Sequence, residues 1–181
     1  MPNPSQEHLL LVDDDPTFLD LLRSHVNAFG FPYETAESGE EALSKLNLHS
    51  FDLVISDLMM PGMSGLGLLK EVRRRFPHTG VIIVTGYGDE QTYTDVIRAG
   101  ATDFLSKPFF RDELEAKISR ALREQQVVRE LSHLVKNLEQ RLAEKEATLE
   151  QVQAELQKTA EKVRELQSKA ILSTYGPHRL R

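Results

Sequence analysis

From Phe109 to Tyr175 the chain contains neither glycine nor proline, the two residues that most readily interrupt a helix. Within this stretch the seam positions step by three and four, at 128, 131, 135, 138, 142, 145, 149, 152, 156, 159, 163, 166 and 170. Read as heptads, Val128, Val135, Leu142, Leu149, Leu156, Val163 and Ala170 take the a positions, and Leu131, Leu138, Lys145, Val152, Thr159 and Leu166 take d. Only Lys145 and Thr159 break the apolar seam. A helix with so narrow a stripe gains stability by burying it against a partner helix, so residues 125–172 are expected to form a coiled coil. Val and Leu at a with Leu or Val at d suit a parallel homodimer, and an interhelical g-to-e contact from Arg141 to Glu146 joins opposite charges. The alternative is a single helix that folds back on the rest of the chain. About 60 residues of unbroken helix would span roughly 90 Å.

Residues 1–124 are composed differently. They hold all 8 Phe, 9 of the 10 Gly and 7 of the 8 Pro, and so carry the punctuation of a folded domain. Short apolar runs recur at His8–Val12, Phe31–Ala36, Leu53–Ser56, Val81–Val84 and Thr102–Ser106, with helical patterns between them. Phe18, Leu22, Val26 and Phe29 share one helical face before Gly30 stops it. Ser38-Gly39-Glu40-Glu41 fits a capping box, and Ser64–Phe76 and Glu90–Ala99 supply two further helices. Five such βα units imply an α/β fold, a parallel sheet with helices on both faces and right-handed crossovers. Residues 173–181, beyond the coil, are expected to form a flexible tail.

Composition narrows the function. With no cysteine there are no disulfides, thiolate metal sites or cysteine nucleophiles, and with no basic leader or long apolar run a cytoplasmic protein is expected. A net charge of −6 argues against nucleic acid or an anionic membrane as partner. Arg73-Arg74-Arg75 falls at a predicted helix end, where cations suit the dipole.

In a parallel sheet, ligands sit beyond the carboxyl ends of the strands. There the sequence places Asp13-Asp14-Asp15, Asp57, Thr85 and Lys107. Converging carboxylates repel unless protonated or neutralised by a divalent cation, and an oxygen-only site favours Mg²⁺ or Mn²⁺. A hydroxyl and an ammonium at the same edge complete a pocket for a phosphoryl group. Asp15 is read as a helix-start charge with no direct ligand role.

Four segments in this order resemble the receiver domain of two-component response regulators: Leu9–Asp15, Asp52–Gly65, Ile82–Gly86 and Phe104–Phe109. The resemblance covers about residues 7–124 and implies a five-stranded, doubly wound, flavodoxin-like sheet of order 2-1-3-4-5. It implies that Asp57 accepts a phosphoryl group from a histidine kinase or phosphotransfer protein. Asp14, Asp57 and the main-chain carbonyl of Met59 would hold Mg²⁺ directly, and Asp13 would hold a metal-bound water. Thr85 and Lys107 would bind the phosphoryl oxygens, Phe104 would be the aromatic switch, and Lys107-Pro108 would be cis. Tyr87, two positions after Thr85, would tune access of water.

The receiver reading is that of a phosphoacceptor signalling protein rather than an enzyme, but one enzyme class also fits part of the pattern. Asp13-Asp14-Asp15-Pro16-Thr17 matches the D-x-D-x-T nucleophile motif of haloacid-dehalogenase-type phosphatases, with Asp112 and Glu113 as the only later acidic pair. That reading leaves Asp57 and the Met-Met-Pro-Gly loop after it unexplained. His133 lacks the neighbours of a kinase phosphoacceptor. No helix-turn-helix, cyclase or phosphodiesterase motif follows residue 124, so the output expected is a coil presented to a protein partner. A constitutive dimer whose receiver surface docks the target is the alternative.

Overall fold

The computed structural model describes residues 7–86 and 90–175, with side chains described for all of these except 90–92 and 172–175. Tyr87 and the tail from Gly176 onward lie outside the described residues. The chain divides into two units, one extending through Glu130 and one beginning at Leu131.

In the first unit, β1 (Leu9–Val12), β2 (Tyr33–Ala36), β3 (Leu53–Asp57), β4 (Gly80–Thr85) and β5 (Asp103–Ser106) alternate with α1 (Pro16–Phe29), α2 (Gly39–Leu48), α3 (Gly65–Arg75) and α4 (Glu90–Arg98). A final helix, α5, runs over Arg111–Tyr175. The strands are all parallel in the order β2-β1-β3-β4-β5, the topology that the sequence resemblance implies. Leu9, Leu53 and Gly80 lie in register, and so do Val12, Ser56 and Ile83, so the strands end along one edge.

The continuous apolar runs of β1, β3 and β4 follow from burial on both faces. Alternate residues enter opposite cores. Leu10, Val12, Val54, Val81 and Ile83 pack with Leu46, Leu68, Leu69, Val72 and Val96. Leu9, Leu11, Leu53, Ile55, Ile82, Val84 and Leu105 pack with Leu19, Leu22 and Val26 of α1 and with Leu114, Ile118 and Leu122 of α5.

Local chemistry sets the helix boundaries. Asp15 is the N-cap of α1, its Oδ1 accepting from the Thr17 N–H at 2.9 Å, and Gly30 ends that helix at φ 82°. The Ser38 Oγ accepts from the Glu41 N–H at 3.2 Å, while Glu41 reaches back to the Glu37 N–H at 2.9 Å. This is the reciprocal logic of a capping box, with the return bond one residue earlier. The strand expected from Phe31 begins only at Tyr33, because Pro32 supplies no N–H to a ladder.

The second unit is the remainder of α5. With no glycine or proline before Gly176, the helix continues through Tyr175, three residues into the stretch expected to be tail. Its seam is exposed in the single chain: Leu142 is 62% and Leu156 69% accessible. No helix among the described residues is long and apolar enough to cross a membrane.

Candidate functional site

The carboxyl ends of β1, β3, β4 and β5 bring together Asp13, Asp57, Thr85 and Lys107. Asp57 is the last residue of β3 and is 7% exposed. Its Oδ1 accepts from Lys107 Nζ at 2.7 Å, and its Oδ2 accepts from the Met59 N–H at 2.6 Å. Asp13, just beyond β1 and 1% exposed, accepts from Lys107 Nζ at Oδ2 (3.0 Å) and from the Asp15 N–H at Oδ1 (2.9 Å). Lys107 follows β5; its N–H donates to the Thr85 carbonyl at 2.8 Å, and its peptide bond to Pro108 is cis.

Burial is the largest influence on both charged partners and opposes charge on each. It raises the Asp13 carboxyl above the ordinary carboxylate value, an effect that repulsion from Asp57 increases and that the Asp15 N–H and Lys107 reduce. Burial would also lower the Lys107 ammonium, but its bonds to Asp57 and Asp13 outweigh this and hold it above the usual lysine value. Lys107 therefore stays charged, shared between two carboxylates.

The loop after Asp57 depends on a close approach. Leu58 donates to the Val84 carbonyl and Gly65 to the Leu58 carbonyl, both at 2.9 Å, and a Cβ on Gly65 would lie 2.0 Å from the Asp57 carbonyl oxygen. No larger residue fits there without displacing the end of β3 or the start of α3. Gly62 turns the loop at φ 74°, and Glu40 accepts from the Met63 N–H at 3.0 Å.

The other residues singled out from the sequence are distributed as follows. Thr85 is buried at the end of β4, in register with Ser106. Phe104 is buried in the core, its ring 5.4 Å from Tyr93 and perpendicular to it. Asp14 is exposed, and the Met59 side chain is also exposed while its N–H holds Asp57. Asp112 and Glu113 lie in the first turn of α5 and are not themselves strand-end residues. The three arginines sit in the last turn of α3, each donating to the protein itself: Arg73 to the Gly100 carbonyl, Arg74 to Glu71 and Arg75 to Asn47. His133 is exposed beside Asn137 on α5.

Two participants were not legible as such. Ser56 is fully buried, and its hydroxyl donates to the Asp57 carbonyl at 2.8 Å. Phe18 places its ring 3.5 Å from Lys107 Nζ. In the sequence Phe18 is one apolar residue on a helical face, and nothing local marks it as a partner of a lysine on the far side of the chain.

Among the described residues, no three His, Cys, Asp or Glu side chains converge closely enough to form a metal cage by themselves. Lys107 already sets one positive charge between Asp13 and Asp57. An oxygen-only set of this kind fits a hard cation that retains several waters and takes one or two carboxylates.

The response regulator receiver domain family matches residues 9–119. The chain belongs to that family. Receivers act in two-component signalling with histidine kinases, and the family generally uses Mg²⁺ for phosphorylation. The receiver is 44% identical over 115 residues to the transcriptional regulatory protein GlrR of Escherichia coli K12, covering 64% of this chain and 26% of that protein. It is 38% identical over 121 residues to the probable transcriptional regulator ycf27 of Cyanidium caldarium, covering 67% and 48%. This chain thus spans half or less of these relatives. The structure of a CheY-like receiver from Methanospirillum hungatei JF-1 matches with a TM-score of 0.64 at 32% identity, covering 67% of this chain and 98% of that one. NtrX from Brucella abortus, in complex with ATP, matches with a TM-score of 0.68 at 33% identity, covering 72% and 30%.

Proposed function

We propose that this receiver accepts a phosphoryl group on Asp57 from the phosphohistidine of a kinase or phosphotransfer protein, and passes the signal through α5 to a protein partner. The observation that carries the reading is the Asp57 carboxylate, held at a strand end between the Lys107 ammonium and the Met59 N–H. A carboxylate fixed from both sides is oriented for in-line attack. An Asp57 oxygen bonds to phosphorus as the bond from phosphorus to the imidazole nitrogen breaks, and the imidazole leaves with the electron pair. Lys107 and the Thr85 hydroxyl stabilise the negative charge on the transferring oxygens.

Asp14, Asp57 and the Met59 carbonyl would hold Mg²⁺ directly, with Asp13 holding one of its waters. When bound, the cation neutralises charge on the phosphoryl oxygens. Phe104 acts as the aromatic switch that follows Thr85, and its packing against Tyr93 supports that assignment. The exposed seam of residues 125–172 pairs with a second copy as a parallel homodimer in the cytoplasm, and a receiver ending near residue 124 works upon it.

The test is intact-mass spectrometry after incubation with Mg²⁺ and a small acyl phosphate. One phosphoryl adduct is expected on the intact protein and none on Asp57→Ala. An adduct that survives Asp57→Ala and vanishes in Asp13→Ala would instead favour the phosphatase-type nucleophile. Light scattering with Mg²⁺ and beryllofluoride, an aspartyl-phosphate mimic, reads the assembly state in parallel.

A further inference from the structure

The Lys107 ammonium has a third neighbour besides its two carboxylates. Its Nζ lies 3.5 Å from the centroid of the Phe18 ring, and Phe109 meets that ring edge-on, with centroids 5.8 Å apart. Phe109 is two residues beyond Lys107, so the aromatic pair joins the first turn of α1 to the segment that carries the lysine. A cation over an aromatic face is attracted by the ring quadrupole, more strongly where water is partly excluded.

The three partners respond differently to a divalent cation. A metal at the carboxylates draws on their charge and repels the ammonium, weakening the hold of Asp13 and Asp57 on Lys107. The Phe18 ring has no charge to give up and keeps its attraction. Resting on the phosphoacceptor reading above, we infer that Phe18 is a positioning residue, whose ring keeps the Lys107 ammonium beside Asp57 once a divalent cation draws on the charge of Asp57 and Asp13. Leucine at this position fills much of the same apolar space without a quadrupole, whereas tyrosine retains the π face.

The experiment compares the intact protein with Phe18→Leu, Phe18→Tyr, Lys107→Ala and the double variant Phe18→Leu/Lys107→Ala. Mg²⁺ affinity is measured by calorimetry, and the rate of phosphorylation by acetyl phosphate is measured at saturating Mg²⁺. Phe18→Leu is expected to slow phosphorylation about five- to tenfold, the size of a partly desolvated cation–π contact, while Phe18→Tyr stays within about twofold of the intact protein. Mg²⁺ affinity in Phe18→Leu should be equal or slightly tighter, because the ammonium competes less well for the carboxylates. In the Lys107→Ala background the same leucine should change nothing, since two residues acting through one contact are not additive.

Unchanged phosphorylation in Phe18→Leu would overturn the inference. So would a parallel loss of Mg²⁺ affinity, which marks general damage to the site, or an equal loss with Lys107 already absent. If the intact protein itself accepts no phosphoryl group, the phosphoacceptor reading falls and takes this one with it. That outcome is recognised by silence in every variant alike.

Discussion

Arg129 on α5 donates from Nη1 to Oδ1 of Asp52, whose other carboxylate oxygen accepts from the His8 N–H at 2.7 Å. The Asp52 main chain is equally engaged, donating to the His8 carbonyl at 2.8 Å and accepting from the Gly80 N–H at 2.9 Å. One residue ahead of β3 therefore ties the starts of β1 and β4 to α5. Replacing Arg129 with alanine removes the cation and leaves Asp52 facing Glu7. The expected loss is about 1–2 kcal/mol in urea unfolding, below the ~3–5 kcal/mol of a fully buried pair, because the Arg129 side chain is 35% exposed. Asp52→Asn should cost clearly less, since an amide oxygen still accepts from His8. Equal losses in the two variants would refute this account.

Glu7 gives that cluster a pH dependence. Burial raises its carboxyl above 4.5, Asp52 raises it further, and Arg129 opposes both. A carboxyl whose folded value is raised binds its proton more tightly in the native state, so its contribution is greatest at acidic pH. It is lost as pH rises from 4.5 through the raised value. Glu7→Gln should therefore match the intact protein at acidic pH and exceed it at neutral pH. Denaturant midpoints across this range decide the matter, and a Glu7→Gln variant less stable at neutral pH would show that the charge is used.

At the opposite sheet edge, Lys107 supplies the cation between Asp13 and Asp57. Lys107→Ala without divalent cation should destabilise the fold by about 1–2 kcal/mol at neutral pH, because two largely buried carboxylates are left facing each other. Millimolar Mg²⁺ should restore more stability to this variant than to the intact protein, since a ligand that binds only the native state stabilises it by mass action. Thermal melts with and without Mg²⁺ measure the difference, and equal Mg²⁺ shifts in the two proteins would count against the metal site.

The βα alternation was legible because β1, β3 and β4 carry the apolar runs Leu9–Val12, Leu53–Ile55 and Val81–Val84, and because Ser38, Ser64 and Gly30 mark helix ends by local chemistry. The meeting of Asp57 and Lys107 was legible through topology, since parallel strands bring their carboxyl ends to one edge. The Phe18 ring over Lys107 and the Arg129 bond to Asp52 were not. Both join residues far apart in sequence through side-chain directions that no periodicity encodes. Asp14 shows the converse, for the sequence groups it with Asp13, yet one step along the chain turns Asp13 into the buried site and leaves Asp14 exposed.

Two glycines of one helix should respond in opposite ways. Gly65→Ala drives a methyl group to within 2.0 Å of the Asp57 carbonyl oxygen, so β3 or α3 must shift. A loss above about 2 kcal/mol is expected, with impaired phosphorylation beside it. At Gly67 the nearest atom to an added Cβ is Met63 Cγ at 3.3 Å, part of a flexible side chain. Alanine there also favours a helix interior by up to about 1 kcal/mol, so Gly67→Ala should be neutral or stabilising. Chemical denaturation of the two variants side by side tests the contrast, and a Gly65→Ala protein as stable as Gly67→Ala would contradict the close approach.

The exposed seam of α5 yields the last prediction. Lys145 occupies a d position between Leu142 and Leu149, where a parallel pair would set two ammonium groups against each other. Their stems can lie along the seam while the charges turn toward Glu146, so the layer weakens pairing without forbidding it. Lys145→Leu completes the apolar seam and should tighten self-association by about tenfold or more, the equivalent of roughly 1.4 kcal/mol. Leu142→Asp, one turn earlier, buries a carboxylate at the same interface and should abolish association. Sedimentation equilibrium across a concentration series distinguishes the three proteins. A monomer in all of them would remove the homodimer and leave α5 to pair with a different helix, while a dimer insensitive to Leu142→Asp would place the contact elsewhere on the molecule.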